Sequence, residues 1–247
     1  MTALHPQAFP SFSVRRRRPR PQWRRALRAL RTLLREPERT ERAFEVMAAL
    51  DPGLMERSLA RALSHPEGRR LFVERPCLLD RLADREALAR LPEGSFGRAY
   101  LAHIERNGLD PGKLVELGRS KPEIRAEDEG TRWYADRSEL SHDLHHVLTG
   151  YGADGLGETA LLWFSYGLNG GRGTALLMVG AALRSRRETG PGFALYLWRA
   201  WRRGRRAGCL AAMPWEDLLA LPLDEVRRLA DIDAPERVHP GGVRVSP

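Results

Sequence analysis

The chain has 247 residues, of which 42% are hydrophobic and 30% are charged, and it carries a formal net charge of +9. This length and composition suffice for one large domain or two small domains with a hydrophobic core. They exclude a wholly disordered chain and a collagen. Two cysteines, Cys77 and Cys209, cannot form a disulfide framework or a four-thiolate metal site, so the sequence favours a reducing compartment.

The positive charge is concentrated at the N-terminus. Residues 1–42 contain twelve arginines and three glutamates, which accounts for the whole excess. Residues 1–22 contain four prolines and no apolar period, so we predict a basic flexible arm for 1–22, a helical domain for 23–232 and a tail for 233–247. Arginine pairs well with phosphate, but the coding bias of a GC-rich genome explains the arginines equally well. The acid-free start also resembles an organellar transit peptide.

The body of the chain predicts helices. Trp23, Leu27, Leu30 and Leu34 have the spacing of an apolar stripe on a helix over 22–35. Further helices are expected near 40–50, 54–63, 67–73, 76–91 and 94–106, separated by proline and glycine. Alternating β-branched runs are absent from the sequence, and so is any run of 18 apolar residues. We therefore predict an all-α, single multi-helix domain without an ordinary membrane-spanning helix.

Three of the seven histidines lie together in the segment Ser141-His-Asp-Leu-His-His146. In a helix that begins near Glu139 or Ser141, His142 and His146 lie one turn apart on one face, and Asp143 borders that face. His145 points about 100° away from His146. The segment therefore predicts a compact group of two imidazoles and one carboxylate.

Glu158 follows a glycine-rich stretch and begins an apolar helix. One explanation is that it stabilises the helix dipole. The other is that the stretch folds back and brings Glu158 to the two-histidine face, which would suit zinc, manganese or ferrous iron. A capped, solvated histidine-rich helix explains the histidines as well. An HD-type phosphohydrolase would need further histidine and aspartate ligands that the sequence does not place.

The spacing of His142-Asp-x-x-His146, eleven residues and then Glu158 resembles the zinc motif of the Coq4 family of ubiquinone-biosynthesis proteins. The segments LPEGSFGRAY from Leu91, NGLD from Asn107 and PWEDLLALPLDEV from Pro214 are also similar to that family, so the resemblance covers about residues 23–232. His145 is a departure, because the most similar bacterial members often carry an aromatic residue there.

The resemblance implies a metal-dependent decarboxylation, coupled to hydroxylation, at ring C1 of a polyprenylated 4-hydroxybenzoate intermediate. It implies that His142, Asp143, His146 and Glu158 bind a divalent metal and form the catalytic site. Zn²⁺ is the first expectation, with Fe²⁺, Mn²⁺ and Co²⁺ as alternatives. Coupling to oxygen would favour a redox-active metal, because zinc has no redox chemistry. The alternative function is a non-catalytic, prenyl-lipid-binding scaffold that organises the pathway enzymes.

The segment 184–206 combines eight arginines with aromatic residues. Such a composition suits the headgroup level of a membrane, although it could also bind RNA or DNA. We predict an anionic membrane surface as a partner and no nucleic acid. With the resemblance, we also expect the polyprenylated precursor, other ubiquinone-biosynthesis enzymes and a second copy of the chain as partners. The expected location is the cytoplasmic face of a bacterial inner membrane, with the matrix side of the mitochondrial inner membrane as the alternative.

Apolar residues follow the histidine motif along 161–183. A polyprenyl tail needs a long apolar slot, and these side chains could line one. Ordinary core packing is the simpler explanation for each of them.

Overall fold

The computed structural model describes residues 20–36, 41–120, 128–185 and 192–234. Within these ranges the chain forms fourteen α-helices and one 3₁₀ turn and no strand, which confirms the all-α prediction. An isolated β-bridge joins Ser95 to Pro222. Most of the predicted basic arm (1–22) and of the predicted tail (233–247) lies outside the described residues.

The helices follow one another through short connections. The first seven are α1 Trp23–Arg35, α2 Glu41–Leu50, α3 Leu54–Leu63, α4 Pro66–Glu74, α5 Leu78–Ala83, α6 Arg85–Arg90 and α7 Phe96–Asn107. The next seven are α8 Pro111–Ser120, α9 Glu129–Thr149, α10 Gly155–Asn169, α11 Arg172–Ser185, α12 Phe193–Arg206, α13 Trp215–Leu218 and α14 Leu223–Leu229, with the 3₁₀ turn Leu210–Ala212 before α13.

Two helices differ from the sequence prediction. The helix predicted over 76–91 is divided into α5 and α6 at Asp84, because the Asp84 carboxylate accepts a hydrogen bond from the N–H of Ala87 and caps α6. Helix α9 begins at Glu129, well before the predicted start at Glu139 or Ser141. Ser141 lies inside α9, where its hydroxyl donates to the carbonyl of Arg137. The histidines therefore lie in the second half of a long helix.

Helix α1 packs through Leu30 of the predicted apolar stripe and through two alanines that lie outside it. Ala26 and Ala29 are buried in a small cluster with residues of α2 and α11. Trp23 and Leu27, which belong to the predicted stripe, are 51% and 53% exposed. Alanine lets α1 and α2 approach closely, so α1 docks through its alanines together with the partly buried Leu30 and leaves Trp23 and Leu27 at the surface.

The main core surrounds the second half of α9. It is formed by large buried side chains from α7, α9, α10, α12 and α13, including Phe96, Leu144, Phe164 and Trp215. Helices α10 and α12 approach so closely that a Cβ on Gly204 would overlap the carbonyl oxygen of Phe164. This contact fixes the position of α10, which carries Glu158.

Several of the apolar residues expected near a prenyl slot belong to the core. Leu161, Phe164 and Leu168 are buried in the main core, and Leu177 is buried against α1 and α2. Core packing therefore accounts for these four. In the described part of the chain, no helix has the length and apolar composition needed to cross a membrane.

Candidate metal centre

The end of α9 and the start of α10 form one compact turn. Helix α9 ends at Gly150, whose positive φ of 74° is the left-handed conformation that glycine adopts readily. Asp154 then caps α10, since its carboxylate accepts hydrogen bonds from the N–H groups of Leu156 and Gly157 at 2.9 and 3.1 Å. Only five residues separate the helices, so the first turn of α10 lies beside the last turns of α9.

At Gly157 the backbone of α10 lies very close to the backbone of the connection that precedes it. A Cβ at this position would overlap the carbonyl oxygen of Gly152. The connection thus folds onto the first turn of α10 only because residue 157 has no side chain. This contact determines where Glu158 lies.

Two arginines from later helices hold the C-terminus of α9. Arg203 donates to the carbonyl of Thr149 at 2.9 Å, and Arg227 donates to the carbonyl of Leu148 at 2.9 Å. Both satisfy carbonyls that have no partner within the helix, and their positive charge favours this end of the helix dipole. Arg203 also lies 5.1 Å from the ring centre of Tyr151. Helices α12 and α14 thereby hold the C-terminal end of α9 in place.

His142, His146 and Glu158 form a group that we call the histidine–glutamate cluster. One ligand atom from each residue lies within 4.8 Å of the others. Glu158 Oε1 is 3.2 Å from His146 Nε2, and Glu158 Oε2 is 3.8 Å from His142 Nε2. The side chain of His146 is 1% exposed, whereas those of His142 and Glu158 are about half exposed. The cluster therefore has a buried floor and an open side.

The backbone sets the orientation of the His146 ring. Its Nδ1 lies 3.0 Å from the carbonyl oxygen of Tyr151, which can only accept, so Nδ1 carries the proton and Nε2 presents a lone pair. That Nε2 is buried without a hydrogen-bond donor beside it. A histidine oriented by a backbone carbonyl, with a lone pair facing a carboxylate, is a common arrangement in metal sites. The residues present therefore fit a divalent cation.

Asp143 lies next to this cluster but is not one of its three members. Its Oδ1 is 3.4 Å from His142 Nδ1, on the ring edge opposite the Nε2 that faces Glu158. In this geometry Asp143 orients His142. The sequence prediction of Asp143 as a direct ligand remains a prediction.

Charges within the site favour the ionised states. Burial lowers the pKa of His142, but the hydrogen bond to Asp143 and the charges of Glu158, Asp143 and Glu139 outweigh it and raise that pKa. Burial raises the pKa of Glu158, but His146 and His142 outweigh it and lower that pKa when these imidazoles carry the additional proton. Glu158 therefore presents a negative charge to the cluster.

His145 points away from the cluster, as the helical angle predicts. Its ring lies 6.1 Å from that of Trp215 in an edge-to-face arrangement. Burial, together with the nearby His142 and His146, lowers the pKa of His145 to about 3. His145 is a neutral residue that packs towards the core.

His103 on α7 is a neighbour of this site that no sequence motif indicated. Its ring stacks on that of His146, with centroids 5.4 Å apart and planes 20° apart. Burial and then the proximity of His146 lower the pKa of His103. Tyr100 lies one turn earlier on α7 and is fully buried, and burial followed by the charge of Asp143 raises its pKa. No local spacing connects α7 with α9, so no sequence period could reveal these neighbours.

The fold and the cluster together define an all-helical protein with two imidazoles and one carboxylate gathered at a single helix junction. Residues 27–236 match the family described as coenzyme Q (ubiquinone) biosynthesis protein Coq4, and the chain belongs to that family. The resemblance noted in the sequence is thereby confirmed.

Curated relatives are similar over most of the chain. The mitochondrial ubiquinone biosynthesis protein COQ4 homolog of Danio rerio is 31% identical over 180 residues, which cover 71% of this chain and 63% of that protein. The mitochondrial ubiquinone biosynthesis protein coq4 of Aspergillus clavatus is 32% identical over 178 residues, 70% of this chain and 59% of that protein. The match thus spans about three fifths of the length of these relatives.

A crystal structure of a protein from Nostoc punctiforme PCC 73102 has a similar architecture. The TM-score is 0.58 at 22% sequence identity, covering 85% of this chain and 98% of the other. At this identity the likeness shows a common fold.

Proposed function

We propose that this protein is a metal-dependent enzyme of ubiquinone biosynthesis. Its reaction is the removal of the C1 carboxylate as carbon dioxide from a polyprenylated 4-hydroxybenzoate intermediate, coupled to hydroxylation at that carbon with dioxygen as the two-electron oxidant. Membership of the Coq4 family supports the pathway. The observation that supports the site best is the buried Nε2 of His146, which has no hydrogen-bond donor among the described residues and lies 3.2 Å from Glu158 Oε1.

Each residue has a role in this proposal. His142, His146 and Glu158 hold a divalent cation, with Asp143 as a fourth ligand or as the group that orients His142. Zn²⁺ is the first choice, and Fe²⁺, Mn²⁺ or Co²⁺ are alternatives. A bound divalent cation supplies an electrophile that stabilises negative charge on a substrate oxygen. The exposed edges of His142 and Glu158 leave one side of the cluster accessible to the ring of the substrate.

A membrane surface is the proposed route to a polyprenylated substrate. Helix α1 exposes Trp23 and Leu27, and exposed arginines surround them at Arg24, Arg28 and Arg31. Basic and apolar residues on one helix suit binding to anionic lipid. Peripheral binding at the cytoplasmic face of a bacterial inner membrane is the proposed location, with the mitochondrial matrix side as the alternative.

Helix α12 presents a second surface of the same chemistry. Trp198 is 43% exposed, and the guanidinium of Arg202 lies 5.2 Å from its ring centre. An aromatic ring in contact with a cationic side chain suits the headgroup level of a membrane. Other enzymes of the pathway and a second copy of this chain are the proposed protein partners.

The test is a turnover assay with the purified, metal-loaded chain. A prenylated 4-hydroxybenzoate labelled at the carboxyl carbon is incubated in air, and labelled carbon dioxide is collected. We expect release by the wild-type chain and none by His146→Ala. Tight binding of the substrate without release in any metal form would contradict the enzyme and favour the scaffold.

A further inference from the structure

His103 carries a buried polar atom that the site described so far does not use. Its Nε2 is buried and has no hydrogen-bond partner in the described part of the chain, although the ring stacks on that of His146 at a centroid distance of 5.4 Å. A buried polar group without a partner is unfavourable, and a bound ligand can satisfy it. The His103 ring thereby lies directly against one of the three residues of the histidine–glutamate cluster.

Asn107 indicates which nitrogen of His103 carries the proton. The Asn107 amide nitrogen donates to the backbone carbonyl of His103 at 2.8 Å, which fixes the orientation of the amide. The same nitrogen lies 3.5 Å from His103 Nδ1. Nδ1 therefore faces a donor, and this arrangement favours the tautomer in which Nδ1 accepts and Nε2 carries the proton.

A protonated Nε2 is a donor and offers no lone pair to a metal. This agrees with the cluster, whose three ligand atoms do not include one from His103. The two carboxylates nearby, Asp143 and Glu158, act on His103 through their charge, but neither is its hydrogen-bond partner. His103 thus has donor capacity beside the cluster and no acceptor among the residues that the structure describes.

We propose that His103 Nε2–H donates a hydrogen bond to the anionic oxygen of the molecule bound at the histidine–glutamate cluster. If the proposed function holds, that oxygen belongs to the C1 carboxylate, and only this identification rests on the proposed function. His103 is then a binding residue that positions the carboxylate against the cluster, and α7 forms the second wall of the substrate site.

The experiment compares two variants of the full chain loaded with Co²⁺, whose visible absorption reports both the metal and the ligands around it. His103→Phe keeps a flat ring against His146 and removes the N–H donor. Tyr100→Phe is the matched control, because it removes a buried hydroxyl from the same helix one turn away. The probes are acetate, which has only the carboxylate, and 4-hydroxybenzoate.

We expect His103→Phe to bind Co²⁺ as the wild type does and to bind both probes about tenfold more weakly, as the loss of one hydrogen bond to a charged group implies. Tyr100→Phe should bind both as the wild type does. In ¹⁵N-histidine-labelled protein, the two-bond ¹H–¹⁵N pattern of His103 should be that of the Nε2–H tautomer.

Three results would overturn the proposal. The first is that His103→Phe binds the probes as tightly as the wild type does. The second is that Tyr100→Phe loses as much probe affinity as His103→Phe. The third is that His103→Phe no longer binds Co²⁺, which would make His103 a ligand or a structural residue. A different result would contradict the proposed function and leave the role of His103 intact. In that case the wild type binds acetate with the His103 dependence but does not bind 4-hydroxybenzoate.

Discussion

At the scale of single residues, the site depends on one carboxylate of α10 that faces two imidazoles of α9. Glu158 is the only member of the histidine–glutamate cluster that comes from α10, and it is within 4 Å of both imidazoles. Its charge is the part of the cluster that an amide cannot replace, because a neutral oxygen is a far weaker ligand for a divalent cation.

We therefore expect Glu158→Gln to lower the affinity for Zn²⁺ clearly while the protein stays folded. His142→Ala and His146→Ala should lose the metal more completely, since each removes one of two nitrogens. His145→Ala should retain it, because that ring packs against Trp215. Competition with a chromophoric chelator measures all four affinities. Loss of metal in His145→Ala with retention in His146→Ala would mean that the ligand assignment is wrong.

The glycines before Glu158 provide a test of the turn itself. Gly157→Ala places a Cβ against the carbonyl of Gly152, whereas nothing lies within 4 Å of a Cβ at Gly155. We expect Gly157→Ala to lower the free energy of unfolding by about 1–3 kcal/mol or more and to weaken metal binding. Gly155→Ala should change stability by less than about 1 kcal/mol. Urea unfolding measures both, and equal effects would contradict the close approach.

At the scale of helices, a buried ion pair connects the metal-site helix to α13. Arg137 of α9 is 4% exposed, and its guanidinium binds both carboxylate oxygens of Glu216, at 2.5 and 3.0 Å. It also donates to the carbonyl of Met213. Arg137 lies one turn before Ser141, whose hydroxyl accepts a hydrogen bond from the indole of Trp215. The ion pair and this hydrogen bond lock α13 onto the turn of α9 that precedes the histidines.

Removal of one partner should leave a buried charge without compensation. We expect Glu216→Ala to lower the free energy of unfolding by about 3–5 kcal/mol. Asp217→Ala, at the next position of the same short helix, removes an ion pair with Arg70 that is exposed to solvent and should change little. Thermal unfolding followed by circular dichroism compares them. A small effect of Glu216→Ala would show that Arg137 finds another partner.

At the scale of the whole molecule, the exposed face of α1 should determine membrane binding. We expect the protein to float with vesicles that contain phosphatidylglycerol and to be released as salt screens the arginines. Trp23→Ala combined with Leu27→Ala should weaken flotation. Val73→Ala is the control, because Val73 is an apolar residue on α4 that is more exposed than either of them. Binding that ignores both anionic lipid and salt would contradict the electrostatic part of the proposal.

The features of the fold and the site that depend on local geometry could be predicted from the sequence. The all-α class follows from helical periods and turn residues, which act over a few positions. The pairing of His142 with His146 follows from the four-residue spacing, since any helix places these positions on one face. The direction of His145, away from the cluster, follows from the same geometry. These predictions needed only that the segment be helical.

The features that depend on contacts between distant segments could not be predicted from the sequence and are seen only in the tertiary structure. The stripe of Trp23 and Leu27 is apolar in any helix, but close packing of Ala26 and Ala29 against α2 turns it outward. His103 lies 43 positions before His146, and only the packing of α7 on α9 stacks the two rings. Helical periodicity sets the direction of a side chain about its own axis, whereas the neighbour it meets is set by the packing of all the helices together.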